Sequence, residues 1–226
     1  MTAQTTDSED TLASVVYRRM QNDILAGRMR PGDKLRVQEL KETYGVGNSP
    51  LREALSRLTS HGLVERSEHR GFRVASASAK ELLEIISTRC ALEELALRES
   101  IRDGDEGWEE RVLVAHHRLS RTSRPEGMSL VGSRTDWEER HREFHLALLS
   151  GCSSSILIGY CADLQERTFR YRNLSSVRAY RDGLATDEHC AIKDAVLARD
   201  ADLAVELLTA HYQSTGGIVA EAADFE

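Results

Sequence analysis

The sequence predicts a mainly α protein, with a winged helix-turn-helix over residues 11–75 and an antiparallel all-helical bundle over residues 81–222. Three observations predict it. Residues 11–75 read as three short helices followed by two strand-like pieces. From residue 79 onward the apolar positions recur only at helical spacing. The charge also divides: residues 11–75 carry 12 Lys/Arg and 7 Asp/Glu, whereas residues 76–226 carry 18 Lys/Arg and 27 Asp/Glu. A basic head on an acidic body suits a nucleic-acid-binding unit joined to a regulatory one. The excess is small enough to arise by chance, so the motifs must carry the argument.

The elements follow in order. Residues 1–10 (MTAQTTDSED) are polar and acidic, unlike a signal peptide, and are expected to be a disordered tail. Residues 12–26 place Leu12, Val15, Val16, Ile24 and Leu25 at helical spacing, with Gly27 as a stop. RMRPGDKL reads as a turn around Pro31-Gly32. Residues 36–44 form a second short helix, broken by Gly45-Val46-Gly47. Residues 49–61 form a third, with Ser49 as N-cap, Pro50 at the first helical position and Leu51, Ala54, Leu55 and Leu58 as its apolar stripe. LVERS and GFRVA then pair as a β-hairpin. Residues 76–80 are a polar linker. Beyond it about six helices are expected, with SRPEGMSLVGS as a loop.

The bulk properties bound the rest. No apolar run reaches the roughly 18 residues of a membrane span. The four cysteines, Cys90, Cys152, Cys161 and Cys190, form no CxxC and read as reduced thiols in a cytoplasmic protein.

The third helix carries the specific signal. A recognition helix sets its N-terminal residues in the major groove, where polar side chains meet base edges and basic ones meet phosphate. Asn48, Ser49 and Arg52 stand at that end, Arg57 lies further along, and Gln38 is on the preceding helix. Arg70 and Arg73 are on the wing. Any one of these could be a solvated polar residue. The set, after a glycine turn and before a hairpin, points to double-stranded DNA. The stretch PGDKLRVQELKETYGVGNSPLREALSRLTSHGLVERSEHRGFRV resembles the winged helix of the GntR family of bacterial regulators. Arg52 matches that family's pattern. Asn48 and Gln38 stand where the family is often basic, which puts the half-site sequence in doubt but not the mode of binding.

The bundle holds a second signal. His141 and His145 share a helix face at i,i+4, His189 opens a later helix and His211 lies on the last. Four converging imidazoles would make a site for a borderline divalent ion such as Zn or Ni. Spacing alone leaves open that the pair is a polar stripe and that the distant histidines do not meet. This part resembles the FCD sensor domain of the FadR branch, through Trp137, Phe144, His145 and Leu148, then His189, Ile192, Ala195, Val196 and Asp200, and last Ala204 and His211. The resemblance implies a divalent metal held by three histidines and an Asp or Asn. Here His141 occupies the acidic position. It also implies a small carboxylate effector beside the metal, with Arg89, Arg167, Arg170 and Tyr171 as effector residues. Arg89 has a second reading, an i,i+4 ion pair with Glu93. PLREALSRL, GFRVAS, WEERHREFHLALLSGC, RYR and AVLARD further resemble the carbon-starvation-induced, glutarate-responsive repressors of this branch. The resemblance implies a homodimer on a palindromic operator, released by effector. A metal-free effector site and a helical-bundle metalloenzyme are the alternatives.

Overall fold

The computed structural model describes residues 11–67, 71–123, 136–174 and 184–222. The chain divides into two units, Met1–Ser76 and Ala77–Glu226.

Among the described residues, the first unit is three helices and a small sheet: α1 (Leu12–Leu25), β1 (Lys34–Leu35), α2 (Val37–Tyr44), α3 (Asn48–Ser60), β2 (Val64–Ser67) and β3 (Gly71–Val74). Thr11 caps α1, its hydroxyl accepting the Ser14 N–H at 3.2 Å. Met20, Ile24 and Leu25 of α1 are fully buried with Leu51, Leu55 and Leu58 of α3, the stripe expected from spacing. The turn between α2 and α3 depends on Gly45, whose φ of 66° is left-handed backbone that a Cβ would strain. Two details differ from expectation. Helix α3 starts at Asn48, capped by Gly47 without a side-chain hydrogen bond, so Ser49 is not its N-cap and Pro50 is the third helical residue. A proline is tolerated there because the first four helical N–H groups have no partner inside the helix. Lys34–Leu35, expected within a turn, instead pairs with β3, giving the antiparallel order β1-β3-β2.

The second unit contains, among the described residues, α4 (Ala79–Asp103), α5 (Glu106–Arg121), α6 (Asp136–Leu149), α7 (Ser155–Leu174), α8 (Leu184–Leu197) and α9 (Ala201–Ala222). Ser78 caps α4 and Asp105 caps α5, each accepting the N–H three residues on. Helix α4 packs on α6, α7 and α9, while α5 packs on α6 and α8. The approach of α4 to α9 is close at Gly216, where a Cβ would lie 2.9 Å from Ile86. The α8–α9 corner turns at Arg199, a non-glycine residue at φ 59°. Its guanidinium donates to the carbonyls of Ile101 and Gly104 at 2.5 and 2.8 Å, tying this corner to the α4–α5 corner. Trp108, Leu97, Phe144, Leu148, Ile192, Val196 and Ala204 form an apolar core. The expected loop beginning at Ser123 falls almost wholly outside the described residues.

Candidate functional site

In the first unit, the α2–turn–α3 segment presents one polar face. Asn48, Ser49 and Arg52 are exposed at the start of α3, and Gln38 is exposed on α2 within hydrogen-bond reach of Lys41 and Glu42. Arg57 is placed differently. It turns back onto α1, stacking 4.3 Å from the Tyr17 ring centre and donating to Ser14 Oγ at 3.1 Å. Its i+5 spacing from Arg52 puts it on another side of the helix. Arg73 lies on β3, paired in register with Glu65 and Lys34. Arg70 lies outside the described residues.

In the second unit, α6, α8 and α9 bring four histidines together. His141, His145, His189 and His211 are all buried, and each offers a ring nitrogen within 4.8 Å of the others. The Nε2 atoms of His141 and His145 are 3.1 Å apart. The rings of His145 and His211 stack at 5.3 Å, and Trp137 stacks on His141 at 4.7 Å. Phe144 stands 5.4 Å from both His145 and His189 and walls off the core side. Burial, reinforced by the neighbouring histidines, holds His141 and His145 well below the usual histidine range. Burial lowers His211 as well, against the pull of Glu188. Neutral imidazole is the form that ligates metal.

Hydrogen bonds at the far ring nitrogens orient two of these rings. His211 Nδ1 lies 2.7 Å from Glu188 Oε2, and His145 Nδ1 lies 2.9 Å from Tyr212 Oη. Such outer bonds fix tautomer and ring angle in metal sites and leave Nε2 facing inward. Tetrahedral Zn–N bonds of about 2.0–2.1 Å place neighbouring nitrogens roughly 3.3 Å apart, close to the His141–His145 contact. The buried Nδ1 of His141 has no hydrogen-bond partner among the described residues. The donor set therefore fits a borderline divalent ion and could hold one.

Two buried arginines, Arg89 and Arg172, lie near enough for their charges to disfavour protonation of the cluster's histidines. Arg89 (1% exposed) donates from Nε to Glu93 Oε1 at 2.5 Å and lies 3.8 Å over the Tyr212 ring, while its Nη2 has no hydrogen-bond partner among the described residues. Arg172 donates to Glu138 at 2.8 Å, both side chains buried. The other sequence-predicted residues lie elsewhere. Arg167 donates to Glu81 Oε1 at 2.5 Å, and the Tyr171 hydroxyl donates to Glu81 Oε2 while accepting the Ser78 N–H. Both therefore grip the first turn of α4. Arg170 is buried.

Sequence reasoning missed Arg172, Glu138, Tyr212 and Glu188. Glu138 could have been found at i−3 from His141, and Arg172 beside the named Tyr171. Tyr212 carried no such signal, because its role depends on how α9 rotates against α4.

Comparison with known proteins decides the family. Residues 12–74 match the family of bacterial regulatory proteins described as gntR, and residues 84–214 match the FCD domain. The chain is a GntR-family transcription regulator with an FCD domain. That membership places it among regulators rather than metalloenzymes. It is 36% identical over 209 residues to BphR, an uncharacterized HTH-type transcriptional regulator of Paraburkholderia xenovorans LB400, covering 92% of this chain and 85% of that one. It is 35% identical over 212 residues to the HTH-type transcriptional repressor GlaR of Escherichia coli K12, covering 91% and 94%. Among solved structures, E. coli McbR/YncC superposes with a TM-score of 0.74 at 20% identity, covering 93% of this chain and 98% of that one, a likeness of fold. No helix among the described residues is long and apolar enough to cross a membrane.

Proposed function

We propose that this regulator is a repressor whose grip on operator DNA is controlled by a small carboxylate bound beside a divalent ion in the bundle. The observation that carries this reading is the convergence of four buried imidazoles, with two buried guanidinium groups nearby. The division of labour is a DNA-binding head at residues 11–75, a linker at 76–80 and a sensor at 81–222, working as a cytoplasmic homodimer on a palindromic site. The similarity to GlaR supports the repressor reading.

In the head, Arg52, Asn48, Ser49 and Gln38 approach the major groove, and the exposed N–H groups at the start of α3 favour a phosphate. Arg70 of the wing belongs to the same surface. In the sensor, His141, His145, His189 and His211 hold the ion, which when bound supplies a positive charge for one end of the effector. Arg89, through its unpartnered Nη2, receives a carboxylate as a charge-assisted hydrogen bond. Arg172 stands on the other flank. A C4–C5 dicarboxylate such as glutarate fits this chemistry, since it carries one carboxylate for the ion and one for Arg89. Effector binding shifts the sensor between two states that hold the heads differently.

Three measurements test this. A promoter fragment from beside the chain's own gene must shift in a mobility assay at moderate salt. Glutarate must raise the melting temperature more with Zn²⁺ or Ni²⁺ than without, because a ligand of the folded state stabilises it by mass action. Metal analysis of untagged protein must find near one equivalent, lost in His145→Ala. Near-zero metal in the parent would leave the metal-free effector site as the better account.

A further inference from the structure

Tyr212 is wholly buried between the histidine cluster and the Arg89–Glu93 pair. Its hydroxyl lies 2.6 Å from Glu93 Oε2 and 2.9 Å from His145 Nδ1. Glu93 is also held by Arg89 Nε at 2.5 Å, with the same guanidinium over the tyrosine ring. Glu93 beside Arg89 is an anion and can only accept. The single hydroxyl proton of Tyr212 therefore goes to Glu93, and the oxygen has only lone pairs left for His145. His145 must then donate from Nδ1, which leaves its Nε2 without a proton and 3.1 Å from Nε2 of His141. One buried anion thus sets the direction of every bond in the row Arg89–Glu93–Tyr212–His145.

We infer that Tyr212 is a positioning residue for the metal: its hydroxyl holds the His145 proton on Nδ1 and so keeps Nε2 ready as a ligand. This rests on the metal reading of the four histidines. Without the hydroxyl, the Nδ1–H of His145 would be buried with no acceptor. The ring relieves this by carrying its proton on Nε2, where His141 Nε2 accepts it. The 3.1 Å bond, in which His145 accepts from His141 in the parent, then runs the other way, with the His141 proton moved to its Nδ1, and His145 Nε2 has no lone pair left for the metal. A tyrosine that merely packs would have no such effect, because phenylalanine fills the same space against Arg89.

The test is Tyr212→Phe in the full-length chain. Zn²⁺ affinity, read by competition with a chromophoric chelator, is expected to fall by about 10–100-fold, the usual range for loss of an outer-shell partner. The second readout is the His145 tautomer in metal-free protein, by NMR of ¹⁵N-labelled histidine. The parent should carry the proton on Nδ1 and Tyr212→Phe on Nε2. Unchanged Zn²⁺ affinity in a folded Tyr212→Phe variant overturns the inference, and so does an Nε2 proton in the parent. If the parent binds no Zn²⁺, the metal reading fails on its own and the tautomer alone decides: a switch sustains the positioning role, no switch overturns it. Should Tyr212→Phe not fold, Glu93→Gln weakens the same row by removing its charge. It must lower Zn²⁺ affinity in the same direction, and no change there overturns the inference.

Discussion

Replacing Arg89 by methionine separates the two readings of that arginine. The side chain is 1% exposed and Glu93 2%, with 2.5 Å between Nε and Oε1. Arg89→Met keeps the apolar volume but leaves Glu93 buried with the Tyr212 hydroxyl as its one remaining donor among the bonds described. Breaking one side of a buried ion pair costs about 3–5 kcal/mol, since the surviving charge keeps its desolvation penalty and loses its partner. A chain of this size loses roughly 2–4 °C per kcal/mol, so the bundle's melting temperature should fall by roughly 6–20 °C. The assay is specific to the bundle, because both tryptophans, Trp108 and Trp137, are buried there and fluorescence excited at long wavelength ignores the head. The double variant Arg89→Met/Glu93→Leu should recover most of the loss, since an apolar replacement of both partners is often neutral. Because Glu93 also anchors Tyr212, that double variant is compared with the parent at Zn²⁺ concentrations that saturate both proteins: if Nη2 receives the carboxylate, glutarate no longer raises its melting temperature. A single variant within about 1 kcal/mol of the parent would refute the buried pair. A double variant that still responds to glutarate would reduce Arg89 to a helix brace.

The remaining predictions are shorter. Arg52→Ala should weaken binding to the specific promoter fragment by about 1–3 kcal/mol, roughly 5–150-fold, whereas Arg57→Ala should mainly destabilise the head, because it packs on Tyr17; anisotropy titrations beside head-specific melting distinguish them, and equal affinity losses would show that Arg57 also meets DNA. Metal-free protein should lose stability as pH falls below about 6.5. His141, His145 and His211 are depressed by burial, so the unfolded chain takes up protons that the folded one refuses, at a slope approaching about 1.4 kcal/mol per pH unit for each histidine; urea titrations giving a flat profile from pH 7 to 5.5 would contradict this. Tyr171→Phe should cost about 1 kcal/mol and leave Zn²⁺ affinity unchanged, because its hydroxyl serves Glu81 and Ser78 rather than the histidines; a large loss of metal affinity would show that the grip on α4 also shapes the cluster.

The head was legible because its information is local. Glycine turns, the Leu51–Leu58 stripe and the alternation of the hairpin each act over a few residues. What escaped was the pairing of Lys34–Leu35 with β3, a contact between positions nearly forty residues apart in a stretch dominated by turn signals. The helices of the bundle were legible for the same reason. The site was legible unevenly. His141 and His145 share a face by helical period, but that His189 and His211 meet them depends on the rotation of α8 and α9, which a period does not fix. The arginines show this most clearly. Residues 167–172 offered three candidates within two turns, and the structure turns Arg167 and Tyr171 toward α4 while sending the neighbouring Arg172 to Glu138. One residue along a helix is a rotation of 100°, so adjacent arginines serve different parts of the molecule.

The charge arrangement bears on why an anion should belong in this bundle. Arg89 and Arg172 each have a buried carboxylate of their own, Glu93 and Glu138, so those pairs add little net charge near the histidines. The four imidazoles are neutral as metal ligands, and the position that is acidic in the metal-binding members of the family is His141. The described contacts give the cluster one direct carboxylate, Glu188 on His211, whose side chain is 40% exposed. A divalent ion held here would keep most of its charge in a region of low dielectric, where an uncompensated charge is costly. A dianionic effector offsets that cost, and the ion in turn offsets the cost of desolvating the dianion. Each should therefore raise the affinity for the other by the same factor, as linkage requires. A neutral effector would have no such coupling, which favours a dicarboxylate over a sugar or an uncharged metabolite.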